Sequence, residues 1–321
     1  MQDALIVFLI LFATCAISSM IYLIIATRKP SFEYKIDNPH TLVFPDHLFE
    51  IVDASDQVKY IERVEQGFGK MKQAVSVTFA GLAHNLEHIL STTLQRIEFL
   101  GEHFKDYDIV IFENNSTDKT KSILKNWQNP KLHVISQDLL NIKSAIKYGG
   151  QASKRFQLMA QYRDEYLNYI RHTSSSSTHV IVLDLDLLIG CSLEGLAHSF
   201  SYDHNEWDMI ACNGVDAING TYYDPLAYKD TESNRILYHN PTANSDGLSY
   251  KKTLNFKKGD LKLVPVKSAF SGLAIYKKEA IESSKYSQPD LKDCEHVSLH
   301  DTMIEQGYNK LFINPNMMVL R

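Results

Sequence analysis

The first apolar run of the chain is unbroken: Ala4 to Ala26 reads ALIVFLILFATCAISSMIYLIIA and carries no charge. At about 1.5 Å of rise per helical residue, such a run spans the roughly 30 Å of bilayer hydrocarbon. It predicts an N-terminal transmembrane segment over residues 1–29, a signal-anchor. A cleaved signal peptide would want a basic segment and a shorter apolar core, whereas this chain begins Met1-Gln2-Asp3. Residues 30–73 mix polarity without a long apolar period, and they predict a stalk or linker with one short helix.

From Ala74 the period changes. Ala74 to Gly81 is a compact β-rich run. His84 to Phe104 then places Leu86, Ile89, Leu90, Leu94, Ile97 and Leu100 at helical spacing. A second strand is predicted at Asp108 to Glu113, followed by a helix capped by Ser116 or Thr117 and ending near Trp127. A third strand follows at Leu132 to Ser136, a long helix at Gln151 to His172, and a fourth strand from His179. After Asp186 the pattern loosens into a short helix near Leu193 to Phe200 and a strand at Asp208 to Asn213. The stretch from Val215 to Lys258, rich in Tyr, Asn and Asp, is where an acceptor pocket is expected. Val266 to Tyr276 reads as strand-like around Ser271-Gly272. Strands alternating with helices predict a mainly parallel, Rossmann-like α/β sheet over residues 74–321, with ligands at the carboxyl ends of the strands.

Charge and cysteine usage narrow the function. A net charge of -5 over 321 residues provides no basic field and excludes nucleic acid as the expected partner. Of the four cysteines Cys15 lies in the apolar run, which leaves Cys191, Cys212 and Cys294, an odd number that argues against a disulfide framework. Arg28, Lys29 and Lys35 follow the apolar run and favour a cytosolic catalytic part. The overlapping sequons at Asn114 and Asn115 fall in an expected substrate loop, where a glycan would obstruct binding, and agree with that side. A Golgi or ER lumenal orientation remains the alternative.

The fourth strand carries the chemistry. VIVLDLD ends on Asp184 and Asp186, two residues apart, so both carboxylates leave one face where the chain exits the sheet. Hard oxygen ligands so placed suit Mn²⁺ or Mg²⁺, with open positions left for substrate phosphates. Asp186, farther from the sheet, is the expected direct ligand, and Asp184 is expected to meet the ribose or a metal-bound water. His300 or His296 would complete the shell, since imidazole is a common ligand for such ions. Haloacid-dehalogenase-type phosphohydrolases share the local signal, but they place it on the first strand and follow it with a small turn. Here Leu187-Leu188 follows. A non-catalytic sugar-binding protein is the other alternative.

IVIFENNSTDKT, from Ile109 to Thr120, resembles the second strand and turn of the GT-A glycosyltransferase fold. Five further blocks, KRFQLMAQYRDEYLNYI, VIVLDLD, WDMIACNGVD with YYDPLAYKD, VKSAFSGLAIYKKEAI and CEHVSLHDTMIEQGYNKLFINP, resemble in their order the fungal capsule-associated α-mannosyltransferases. The chain departs from that family's Arg-Asn pattern at Arg163-Asp164. The resemblance implies a hexosyltransferase that moves a sugar, with mannose the candidate in that family's manner, from a GDP- or UDP-sugar to a glycan or lipid-linked acceptor. It places Thr78 and Ala80 along the nucleotide, Glu113 at the base or ribose, and Lys154 and Arg155 near the diphosphate. Arg163, eight residues beyond Arg155, is either a second phosphate contact or one end of a surface ion pair. Glu295 is the expected general base of an inverting reaction, or an acceptor-positioning group in a retaining one, with His296 beside it. Gly272 would let backbone approach the sugar closely.

Overall fold

The computed structural model describes residues 41–46, 54–138, 152–173, 176–217, 221–233, 261–289, 291 and 293–321. The predicted transmembrane run lies outside them, and among the described residues no helix is long and apolar enough to cross a membrane.

The predicted strand and helix alternation is present in the first half. β1 (Ser76–Ala83), α2 (Leu90–Gly101), β2 (Asp106–Asn114), α3 (Thr120–Asn126), β3 (Leu132–Gln137), α4 (Ala152–His172) and β4 (His179–Leu183) follow in turn. Before them runs α1 (Ala54–Ala74). The second half holds β5 (Gly190–Cys191), α5 (Leu193–Ser201), β6 (Met209–Val215), β7 (Val264–Pro265), β8 (Leu273–Lys277), α6 (Lys278–Glu282), α7 (Glu295–Glu305) and β9 (Leu311–Leu320). These elements lie in one unit comprising Ile36–Asp216 and Thr221–Arg321.

The sheet is mixed rather than mainly parallel. Its order is β3-β2-β1-β4-β8-β6-β9-β5, with β7 also on β9. β3, β2, β1 and β4 are parallel, β8 runs against both its neighbours, and β9 is again parallel to β6. Alternation along each buried strand feeds two cores. Ile181 and Leu183 pack with Val64 and Met71 of α1, Leu94 and Ile97 of α2, and Leu196 and Phe200 of α5. Val180 and Val182 pack on the other face with Tyr166, Leu167 and Ile170 of α4 and Val297 and Met303 of α7. A strand buried on both faces must be apolar throughout, which is why VIVL reads as a continuous run.

The region expected as a stalk therefore contributes a core helix. Tyr60, Val64, Gly67 and Met71 line one side of α1, and Tyr60 donates to Glu194 Oε2 at 3.1 Å while Lys70 Nζ donates to the Ser201 carbonyl at 2.8 Å. A Cβ built on Gly67 would fall 1.7 Å from the carbonyl oxygen of Ala197, so α1 and α5 meet backbone to backbone. Gly67→Val should push the helices apart at a cost of about 1–3 kcal/mol or more. Thermal unfolding and hydrogen exchange in α1 would measure it, and an unchanged melting temperature with unchanged α1 protection would contradict the docking described.

Candidate active site

Strand direction assembles the site. β4, β6 and β9 all end at one edge, and β8, running the other way, begins there. That edge gathers Asp184 and Asp186 after β4, Tyr223 and Asp224 after β6, Arg321 after β9, and the Ser271-Gly272 turn ahead of β8. Asp184 N donates to the Gly272 carbonyl at 2.8 Å, and Tyr223 N donates to the Gly214 carbonyl at 2.9 Å. Gly272 is at φ +89°, and a Cβ there would come within 3.3 Å of the Tyr223 ring. What Gly272 lets approach closely is thus Tyr223 and Leu187.

The acidic turn is pinned from beneath. Leu185 and Leu187 turn into the core, leaving Asp184 and Asp186 outward. Thr93 donates to the Leu185 carbonyl at 2.9 Å, and the buried Arg96 donates to the Leu187 carbonyl at 3.1 Å. Both come from α2, so that helix fixes the path of Asp-Leu-Asp.

Arg163 is the hub of the charged cluster. Its Nε donates to Glu295 Oε1 at 3.1 Å and its Nη2 lies 3.5 Å from Asp184 Oδ1, with Arg163 and Glu295 side chains only 5% and 8% exposed. The guanidinium carbon sits 5.4 Å from the centre of the Phe270 ring. Asp184 also accepts from the Tyr223 hydroxyl at 3.2 Å. Burial pushes the Asp184 carboxyl up to about 6, with Arg163 opposing and Asp186 adding to the rise. Asp224, in a left-handed backbone conformation at φ 57°, is pushed well above the usual carboxylate range by burial and by Asp184 and Glu295. Asp186 is the more exposed of the pair, 38% against 21%, and its Oδ2 lies 2.7 Å from Arg321 Nη2.

Several expected residues are not brought to this edge. Thr78 sits early in β1, where its hydroxyl donates to Ser177 Oγ at 3.0 Å just ahead of β4, and Ala80 is fully buried in the core. The strand runs on to Ala83, so neither residue occupies its carboxyl end. Glu113 does end β2, but it is fully buried and accepts from Ser116 N at 2.9 Å and from the Ser136 hydroxyl, holding the turn together. Lys154 and Arg155 are exposed in the first turn of α4, and it is Arg163, two turns on, that reaches the acidic residues. Glu295 is turned onto Arg163 rather than outward. His296 stacks on Phe270 with ring centres 3.6 Å apart, is fully buried, and has both ring nitrogens without a hydrogen-bond partner. Burial, then Arg163, depress its pKa well below the ordinary imidazole value. His300 is committed elsewhere, with Nδ1 2.8 Å from Ser268 Oγ and Nε2 3.0 Å from the Tyr276 hydroxyl.

Among the described residues no three His, Cys, Asp or Glu side chains converge as a protein-built metal cage would require. The pair Asp184 and Asp186 fits a less demanding ion. Mg²⁺-like ions are commonly held by one or two carboxylates, with substrate phosphates and waters filling the remaining positions. Arg96 and Arg321 are the site residues that the sequence does not single out; Tyr223 lies in the YYDPLAYKD block, whose Tyr222-Tyr223-Asp224-Pro225 reads as a candidate sugar contact or a turn of packed tyrosines, and Arg163 reads as a phosphate contact or an ion pair. Arg163 had a signal: it occupies the buried stripe Ala160, Arg163, Tyr166, Leu167, Ile170 of α4, where a charge needs partners.

No curated protein matches the chain. Among solved structures, a mannosyltransferase from Pyrobaculum calidifontis in complex with GDP-mannose and Mn²⁺ is similar at 13% identity, with 83% of this chain and 64% of that one covered and a TM-score of 0.46. TarS 1–349 of S. aureus matches at 15% identity, covering 76% of this chain and 59% of that one, TM-score 0.44. GalNAc-T7 with UDP, GalNAc and Mn²⁺ matches at 12% identity, covering 90% and 57%, TM-score 0.41. The chain thus spans less than two thirds of the length of each. The family described as cryptococcal mannosyltransferase 1 matches over residues 76–304, the stretch that carries β1 through α7 and all of the clustered side chains except Arg321, and the chain belongs to that family.

Proposed function

We propose that this chain is a GT-A-type glycosyltransferase that takes a hexose from a GDP- or UDP-sugar, with Asp184 and Asp186 receiving the metal-bound diphosphate and a glycan or lipid-linked glycan as acceptor. The observation that carries the reading is the outward acidic turn after β4, backed by Arg163 and faced by Tyr223 and Arg321. Membership of a mannosyltransferase family supports it and favours mannose. The Ala4–Ala26 run would hold the enzyme at a membrane, beside lipid-linked acceptors.

In this reading Asp186 is the direct ligand of Mn²⁺ or Mg²⁺, and Asp184 lies behind it. The bound ion would supply charge neutralisation to a departing diphosphate. Arg163 keeps Asp184 and Glu295 in fixed positions, which is what preorganisation requires of groups that surround a developing charge. Asp224, in the left-handed region and electrostatically coupled to Asp184, would be the group that meets a sugar hydroxyl.

Incubation with a panel of GDP- and UDP-sugars, Mn²⁺ and mannoside acceptors should release nucleoside diphosphate in step with glycoside formation. Inorganic phosphate liberated from sugar phosphates without nucleotide release would favour a phosphohydrolase instead. Asp186→Ala should weaken Mn²⁺-dependent GDP or UDP binding by roughly a hundredfold, as expected when a charge-assisted ligand is lost, while a half-exposed side chain leaves the fold intact. Calorimetry showing unchanged nucleotide affinity would remove Asp186 from the metal site.

A further inference from the structure

Arg321 lies on the same carboxylate that the proposed metal would use. Its Nη2 is 2.7 Å from Asp186 Oδ2, its Nη1 bonds the Tyr223 hydroxyl, and its guanidinium carbon sits 4.9 Å from the centre of the Tyr223 ring. Tyr223 passes the contact on by donating to Asp184 Oδ2 at 3.2 Å. One guanidinium therefore serves both aspartates, one directly and one through a hydroxyl.

The position is fixed by the sheet. β9 lies parallel to β6, and Arg321 N donates to the Val215 carbonyl at 3.1 Å, which sets the residue beside the segment that carries Tyr223. The side chain nevertheless remains 43% exposed, open to a ligand that enters from this edge. Arg163, by contrast, is 5% exposed and held by two carboxylates, so it has no freedom to leave them.

A divalent cation arriving at Asp186 meets a guanidinium already in contact with Oδ2, and the two like charges repel across one carboxylate. A Mg²⁺-like ion takes a carboxylate oxygen at about 2.0–2.1 Å, and a guanidinium in contact with the same oxygen would repel it. The displaced guanidinium would then stand without a carboxylate partner next to the phosphate oxygens that the ion brings, and a planar fork of N–H donors matches those oxygens bidentately.

Resting on the functional reading above, we propose that Arg321 and the divalent cation compete for Asp186, and that the displaced arginine becomes a ligand of the donor's diphosphate. The arginine balances the charge of Asp186 until the ion takes over, and it then adds a second positive charge beside the leaving group. Binding of metal alone is thereby weakened, and binding of metal with nucleotide is favoured.

The test uses the full chain and two binding measurements without turnover. Mn²⁺ alone is titrated by electron paramagnetic resonance of the free ion, and GDP and UDP are titrated by calorimetry at saturating Mn²⁺. Arg321→Gln should bind Mn²⁺ alone roughly 5-fold more tightly, the scale of one exposed ion pair. The same variant should bind GDP or UDP roughly tenfold more weakly, the scale of a charge-assisted contact to phosphate. Arg321→Lys, which keeps the charge, should stay near the wild type for Mn²⁺. Opposite signs are the signature, because a structural defect would weaken both. Mn²⁺ affinity that is unchanged or lower in Arg321→Gln, or nucleotide affinity that is undiminished, overturns the exchange. A wild type that binds neither GDP nor UDP in the presence of Mn²⁺ overturns the functional reading itself, whereas nucleotide binding by the wild type with like-signed shifts in the variant overturns the exchange alone.

Discussion

Replacing Arg163 by methionine should lower the unfolding free energy by about 3–5 kcal/mol, the usual result when one partner of a buried ion pair is removed and the other is left uncompensated. Arg163 is 5% exposed and Glu295 8%, and the other group within ion-pair reach of Glu295, His296 Nε2 at 3.9 Å, is kept from carrying charge by its burial. Methionine fills much of the space against Phe270 and Tyr286, so the loss would report charge rather than a cavity. Two carboxylates would respond differently. Asp184, already pushed up to about 6 by burial, would lose the contact that opposes the rise and would take up a proton. Glu295 would remain buried, with the Cys294 thiol and the His296 ring beside it and no cation to replace Arg163. Adding Glu295→Leu to Arg163→Met should therefore recover most of the stability while nucleotide-sugar turnover stays lost. Urea denaturation of the four members of the cycle gives the coupling. If Arg163→Met alone unfolds within about 1 kcal/mol of the wild type, the buried ion pair is not the organising contact of the site.

Much of this architecture is legible in the chain. β4 was readable because a strand covered on both faces has to be apolar at every position, and Asp184 and Asp186 were readable because charge at its end has to leave the core. β1 through β4 follow the same logic, although β1 begins at Ser76 and ends at Ala83, two residues later than its apolar pattern suggests. That shift removes Thr78 and Ala80 from the strand's end. α1 was obscured because its buried stripe is sparse, with glycine where α5 comes closest. A small residue at a helix contact carries no apolar signal.

The site's second half was less legible because its residues meet only through the sheet. Tyr223, Gly272 and Arg321 are separated by tens of positions and converge because β8 is antiparallel between β4 and β6 and β9 lies beyond. A mainly parallel sheet, the expectation from alternation alone, would not bring the start of β8 to the end of β4. His300 is a case where local sequence and tertiary setting point different ways. A histidine beside Asp301 reads as a ligand, yet Ser268 and Tyr276 consume both of its nitrogens inside the core.

Those buried histidines set the acid limit of the fold. His179, His198 and His300 are each 5% exposed or less. Burial holds His179 and His300 down to about 3 and His198 to about 4, with neighbouring His204 and Lys277, Lys229, and Arg63 respectively adding to the depression. An unfolded histidine titrates near pH 6.5. Because the folded values are depressed, the stability they contribute is complete above about pH 6.5 and is lost as the pH falls toward 4 and 3, where only the unfolded chain binds the protons. At pH 5 each costs about 2 kcal/mol relative to pH 7, or roughly 6 kcal/mol for the three. Asp184 works the other way: its raised pKa makes the folded chain the better proton binder between about 4 and 6, which returns about 1 kcal/mol at pH 5, and Asp224 acts in the same direction. A domain with a stability of about 5–15 kcal/mol should therefore begin to unfold between pH 5 and 4. His179→Phe keeps the aromatic packing against Trp207 and Phe200 and removes one proton site. Its stability relative to the wild type should improve by about 2 kcal/mol between pH 7 and pH 5. Denaturant titrations at the two pH values measure that difference, and a pH-independent difference would mean that His179 is not a buried neutral imidazole.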